Sequence, residues 1–172
     1  WCVESDFDHV PGVVSTVSGY IGGEAPNPTY KQVSAGGTGY IEAVKITFDP
    51  AIISYDKLLE IFWRSVDPTD DGGQFCDRGE SYKTAIFTTS DAQNEIATQS
   101  KVTLEQSGQL PHPIVTAIRP ATTFYPAEDY HQDYILPLQL WPGRKSRRAL
   151  GEGGAPGDIN ELVRPVSIPP MN

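Results

Sequence analysis

Hydrophobic and polar positions alternate in two periods along the chain, and the switches between them outline an α+β domain. The clearest two-residue alternation runs over 41–48, Ile-Glu-Ala-Val-Lys-Ile-Thr-Phe, and predicts a strand. A β-branched run over 13–20 predicts another, and shorter strands are predicted over 83–88 and 115–118. Helical spacing of Val3, Phe7 and Val10 predicts a helix over 1–10, closed by Pro11-Gly12. A second helix is predicted from Ser54 as N-cap to Ser65, with Tyr55, Leu58, Leu59, Phe62 and Trp63 as its apolar stripe. Ser90 with Gln93 has the spacing of a capping box and opens a mostly polar helix to about Ser107. A short helix over 126–135 would begin with proline in its first turn.

Two loops, about 21–40 and 67–82, carry most of the Gly, Pro, Asn and Asp between these elements. Long loops in a compact domain are where function concentrates. Beyond about 140 no period is visible, and 141–172 reads as a Gly/Pro/Arg-rich tail, partly disordered, behind a single domain over 1–140.

The face of the 41–48 strand that reads Glu42, Val44, Ile46, Phe48 is the more apolar one, yet it begins with a carboxylate. If that face is buried, Glu42 has a raised pKa and holds a proton near neutrality. If the strand end frays into solvent, Glu42 is an ordinary exposed acid. Asp77, in Gln74-Phe-Cys-Asp-Arg-Gly-Glu-Ser-Tyr82, either orients a reacting group or caps a turn. Tyr20, Tyr30, Tyr40 and Tyr82 lie in or beside the loops and either donate hydrogen bonds to a polar ligand or anchor the loops. His131, beside acidic neighbours, is either a base or structural.

The 172 residues suffice for one domain with a real core. A net charge of −9 disfavours a nucleic-acid partner, and the basic run Arg144–Arg148 reads as a solvated stretch. No apolar run is long enough to span a membrane. Two cysteines, Cys2 and Cys76, and three histidines are too few and too dispersed for a zinc site. The cysteines either pair or stay free; free thiols are the default in a chain that otherwise reads as intracellular. The chain opens on Trp1, so the natural N-terminus is expected upstream.

Taken in order, the fragments resemble one family. They are Trp1-Cys-Val-Glu4, Gly19-Tyr-Ile-Gly-Gly23, Pro26-Asn-Pro-Thr-Tyr30, Gly36-Gly-Thr-Gly-Tyr-Ile-Glu-Ala-Val44, Asp77-Arg-Gly-Glu-Ser-Tyr82 and Ala127-Glu-Asp-Tyr-His-Gln-Asp-Tyr134. Their sequence and spacing are similar to those of A-type peptide methionine sulfoxide reductases from residue 1 to about 135. The resemblance implies reduction of methionine (S)-sulfoxide, free or in proteins, by a thiolate that attacks sulfur while an acid protonates the oxygen. It implies a two-layer, ferredoxin-like α+β sandwich with a mixed central sheet. It implies no cofactor and no metal, thioredoxin as reductant, a monomer and a cytoplasmic setting.

By the same resemblance Glu42 is the acid, Tyr30 and Tyr82 bond the sulfoxide oxygen, Asp77 orders the site and Trp1 walls the substrate methyl group. The family's nucleophilic cysteine stands two residues before the tryptophan matching Trp1, and is not in this chain. Cys2 resembles the second cysteine of a Cys-x-x-Cys. Resolution of the sulfenic acid falls to Cys2, Cys76 or an external thiol, because no cysteine follows Cys76. The tail departs from the family after Tyr134, and an incomplete or shifted reading of the gene is expected there. A sulfoxide-binding protein that does not turn over is the alternative. With the strand before Trp1 absent, a sheet edge is expected to be left unpaired.

Overall fold

The computed structural model describes residues 6–129 and, as backbone, 160–165. Trp1, Cys2 and His131 lie outside the described residues. Six strands form one mixed sheet: β1 (Val13–Ile21), β2 (Ile41–Phe48), β5 (Ala85–Thr88), β6 (Ala117–Pro120), β7 (Tyr125–Pro126) and β8 (Asn160–Pro165), in the order β6-β5-β8-β2-β1-β7. Only β5 and β6 run parallel; the other neighbours are antiparallel. A separate two-stranded hairpin joins β3 (Gly73–Gln74) to β4 (Asp77–Arg78).

Among the described residues, 6–8 are helical, within the helix expected over 1–10, and the sheet is accompanied by α1 (Tyr30–Ser34), α2 (Tyr55–Ser65) and α3 (Asp91–Gln106). Ser54 caps α2 by accepting from the Lys57 amide, and Ser90 caps α3 by accepting from Gln93. The Gln93 side chain, however, accepts from Thr89 rather than from Ser90, so the box closes one residue early. The stripe of α2 buries Leu58, Leu59 and Phe62 against Val44, Ile46, Phe48 and Ile86 of the sheet, with Ala97 of α3 in the same cluster. The Trp63 indole donates to Ser100 at 2.7 Å and ties the two helices together. On the opposite face Ile21, Ile41, Ala43, Ala85 and Phe87 pack under Ala117, Ala121 and Phe124.

Several boundaries differ from those expected. The loop expected over 21–40 contains α1, whose Thr29 N-cap and Gln32 side chain form a complete capping box. The strand expected at 115–118 is β6, displaced toward 120. Where a helix was expected from 126, Tyr125–Pro126 instead form the edge strand β7; prolines are tolerated there because an edge amide has no ladder partner to supply. The remainder of that helix, 130–135, lies outside the described residues.

Within the segment expected as a tail, Asn160–Pro165 forms β8. It pairs with β2 from Ala43↔Pro165 to Phe48↔Asn160 and with β5 at Phe87↔Val163. β2 is therefore paired on both sides, by β1 and by β8. The two adjacent apolar residues Leu162 and Val163, flanked by polar ones, form too short a run to show a period.

One core position is suboptimal. Tyr55 is only 7% exposed, stacks on Phe48 at 6.4 Å between ring centroids, and its hydroxyl has no hydrogen-bond partner among the described residues. Burial raises its pKa, since ionisation would place a charge in the core. Tyr55→Phe should therefore stabilise the fold by about 1–2 kcal/mol. The raised folded pKa means that this tyrosine's contribution is intact below about pH 10 and lost above it, because unfolding then releases a proton. Thermal melts should show a higher Tm for the variant and a wider gap in its favour at alkaline pH; a lower Tm at neutral pH would contradict the assignment.

Candidate functional site

Glu42 is completely buried, on the face of β2 that also carries Val44, Ile46 and Phe48. The register of the β1–β2 ladder sets Tyr20 directly opposite it. Directly opposed residues share a face, so the Tyr20 ring, also without exposure, stands beside the carboxyl. Burial comes from both sides of the strand, since Ile41 and Ala43 are covered by the second cluster. The expected core-facing orientation of Glu42 is thus what the structure has, and the frayed-end reading is not.

Tyr82 ends a single 3-10 turn, Glu80–Tyr82, just before β5. Its phenol pKa is raised, first by desolvation, then by the neighbouring Glu42, Tyr30 and Asp77, and by a side-chain hydrogen bond with Tyr30. Those causes place three of the polar residues singled out from the sequence, Glu42, Tyr30 and Asp77, around the phenol of the fourth, Tyr82. Tyr82 and Tyr30 are half-buried, so the cluster has one side open to solvent and its acid sealed beneath.

Local sequence explains how each group is held. Tyr30 is the first residue of α1, and the helix is started by Thr29 and anchored by the buried Val33. Asp77 begins β4 after the two-residue turn Phe75-Cys76, where Phe75 has a positive φ. Gly73 faces that strand with φ +146°, and a Cβ there would lie 2.1 Å from the Asp77 carbonyl oxygen. Only glycine permits this approach. The buried Gln74 amide accepts from Asp67 N–H at 2.9 Å and donates to the Asp67 and Gly73 carbonyls at 2.9 and 2.7 Å, fixing the hairpin to the preceding loop. Asp70 forms an ion pair with Arg78 across the same hairpin. The glycine loop is tied to the Tyr82 turn by Gly37 N–H donating to Glu80 at 3.3 Å.

Other expectations resolve differently. Tyr20, near the end of β1, and Tyr40, in the loop just before β2, are both buried, and the Tyr40 hydroxyl donates to the Ala25 carbonyl and so anchors the loop rather than facing a ligand. Cys76 is a free, exposed thiol at the hairpin tip, beside Phe75, which is 70% exposed. A polar cavity of about 210 Å³ lined by Ile41, Asp71, Glu80, Lys83 and Arg119 does not include Glu42. Ile41 and Glu42 alternate across β2, so this cavity lies on the other face of the sheet. Among the described residues no cluster of His, Cys, Asp or Glu is arranged to hold a metal ion, and no helix is long and apolar enough to cross a membrane. Sequence reasoning gave no role to Glu128, which bonds both Tyr20 and Tyr30.

Residues 1–142 match the family model described as peptide methionine sulfoxide reductase. A peptide methionine sulfoxide reductase MsrA of Listeria welshimeri is 56% identical over 134 residues, covering 78% of this chain and 76% of that protein. One of Bacillus licheniformis is 50% identical over 153 residues, covering 89% and 83%. Among solved structures, methionine sulfoxide reductase A of Corynebacterium diphtheriae superposes with a TM-score of 0.70 at 35% identity, covering 83% of this chain and 73% of that one. Reduced Mxr1 of Saccharomyces cerevisiae gives a TM-score of 0.69 at 31% identity, covering 73% and 72%. The Listeria, Bacillus and Corynebacterium proteins are each named as a reductase, which lends nothing to a binding-only alternative.

Proposed function

Because this chain belongs to the peptide methionine sulfoxide reductase family, we propose that the cluster around Tyr82 is where the oxygen of a methionine sulfoxide is received. The protein is an oxidoreductase that reduces methionine (S)-sulfoxide to methionine at the expense of thiols. The observation that carries the site assignment is a fully buried Glu42 beneath two hydrogen-bonded phenols.

A carboxyl without solvent is more stable neutral than ionised, so Glu42 suits the role of proton donor. Tyr82 and Tyr30 donate to the same oxygen. Attack by a thiolate on the sulfoxide sulfur breaks the S–O bond as the oxygen takes up a proton. Charge that develops on this oxygen is met by donors already in place, which lowers the barrier. The attack joins the cysteine sulfur to the substrate sulfur; the released hydroxide then adds to the cysteine sulfur, the S–S bond breaks with its electron pair on the substrate, and the products are a sulfenic acid and a thioether. Asp77, held by the glycine-dependent hairpin, orders Tyr82. Trp1, as the family's aromatic wall, takes the methyl group.

The attacking thiol is the cysteine that the family carries ahead of the position of Trp1. A second thiol, from Cys2, the exposed Cys76 or an external donor, displaces water from the sulfenic acid to form a disulfide. Thioredoxin then reduces it, and a cytoplasmic setting that keeps thiols reduced suits the cycle. The antiparallel neighbours β5, β8, β2 and β1 under α2 and α3 support a ferredoxin-like reading of the sheet.

The full-length protein, supplied with dithiothreitol, should turn over N-acetyl-methionine (S)-sulfoxide and leave the R epimer untouched, as followed by chiral chromatography. Absence of turnover in a protein that still binds the sulfoxide would overturn the reading.

A further inference from the structure

We propose that Glu128 is a positioning residue that sets the Tyr30 phenol against Glu42. Its carboxylate spans two elements of the site: Oε2 accepts from the Tyr20 hydroxyl at 2.8 Å, and Oε1 accepts from the Tyr30 backbone N–H at 3.1 Å. Tyr20 is the strand residue opposite Glu42 and is fully buried. Tyr30 opens a five-residue helix at the end of a loop rich in Gly and Pro. One carboxylate thus joins the strand residue opposite the acid to the first residue of the short helix that bears the phenol. A helix this short has little stability of its own, so its placement depends on such tertiary bonds.

The delivery of Glu128 is itself built into the strand. β7 lies against β1 at Gly19↔Pro126 and Tyr20↔Tyr125, and the Ala127 amide donates to the Ser18 carbonyl at 2.9 Å. At Gly19 a Cβ would sit 2.3 Å from the Tyr125 carbonyl oxygen and 2.4 Å from the Phe124 ring. The missing side chain lets the chain cross β1 closely enough for Glu128, two residues past Pro126, to reach both tyrosines. Glu128 does not touch the reacting atoms in this scheme. It acts through Tyr30, and the proposal rests on the reading that Tyr30 donates to the substrate oxygen.

The chemistry separates geometry from charge. In Glu128→Gln the amide oxygen still accepts from Tyr30 N–H, while its NH₂ donates to the Tyr20 phenol oxygen, which can accept as well as donate. Glu128→Asp keeps the charge but withdraws the carboxylate by about 1.5 Å, too far to hold both anchors. With N-acetyl-methionine (S)-sulfoxide and dithiothreitol, E128Q in the full-length protein should retain most of the rate. E128D should lose about tenfold in kcat with little change in KM, since a displaced donor costs most in the transition state. In a Tyr30→Phe background the two Glu128 variants should have no further effect. Tyr20→Phe, which removes only the anchoring hydroxyl, gives the same test by a milder route if E128D folds poorly, as judged by its melting curve.

The outcomes are distinct. A Y30F variant as fast as the unmodified protein overturns the assignment of Tyr30 itself. A slow Y30F with E128D and Y20F both unimpaired overturns only the positioning role. An equal loss from E128D or Y20F with and without the Tyr30 hydroxyl shows a general structural role, and E128D outperforming E128Q shows that charge matters rather than reach; either result overturns the proposal.

Discussion

Glu42→Gln lowers kcat for N-acetyl-methionine (S)-sulfoxide by about 10²-fold or more, the loss typical of a missing general acid. The substitution is nearly isosteric, and the side chain is wholly enclosed, so the core loses no volume. The amide NH₂ can still donate a hydrogen bond to the sulfoxide oxygen but has no proton to give up. Binding of the ground state therefore survives while the transition state loses its acid, and KM should stay within about twofold. Steady-state kinetics on the full-length protein with dithiothreitol measure both quantities. If E42Q retained most of the unmodified kcat while remaining folded, the oxygen would be receiving its proton from somewhere else. Glu42→Ala is a poorer test, because it empties a volume beneath Tyr82 and adds a packing loss to the chemical one.

The part of this site that could be read from sequence is the part written in short periods. Glu42 was legible because alternation over 41–48 assigned it to the face of Val44, Ile46 and Phe48, and the structure buries it there. The stripe and cap of α2 were equally plain, since Ser54 and the spacing of Leu58, Leu59 and Phe62 are local signals. The capping box of α1 was also present, in Thr29 and Gln32, but it stood inside a stretch whose glycines and prolines argued for loop, and the helix was missed. Long-range pairings left no such trace. Glu128 meets Tyr30 across 98 residues of chain, and nothing in either neighbourhood announces the other. Pro126 reads locally as the first turn of a helix, yet its place at the sheet edge beside Gly19 decides otherwise. β8 shows the same limit more strongly: a pair of apolar residues becomes a strand between β2 and β5 because two partners wait on either side.

Tyr82→Phe is expected to lower kcat by about 10²-fold, as for removal of one donor to a developing oxyanion. Tyr30→Phe should cost a similar factor, but the double variant should fall short of the product, at about 10³-fold, because residues in direct contact do not act independently. The physical reason is the hydrogen bond between the two side chains: removing one hydroxyl releases the other to reorient toward the substrate. The pH dependence follows from the direction of the Tyr82 shift. Burial and the acidic neighbours raise its pKa above the ordinary value of a tyrosine, so the phenol keeps its proton, and remains a donor, throughout the range in which the protein works. The ratio of unmodified to Y82F rates should then be constant from about pH 6 to about pH 9. A phenol that ionised early would instead lose its donor as pH rose, and the ratio would shrink toward the alkaline end. Parallel pH–rate profiles of the two proteins therefore test the geometry and the electrostatics together: a large, flat ratio requires a donor that is both aimed at the oxygen and protected from ionisation by Glu42, Asp77 and Tyr30 around it.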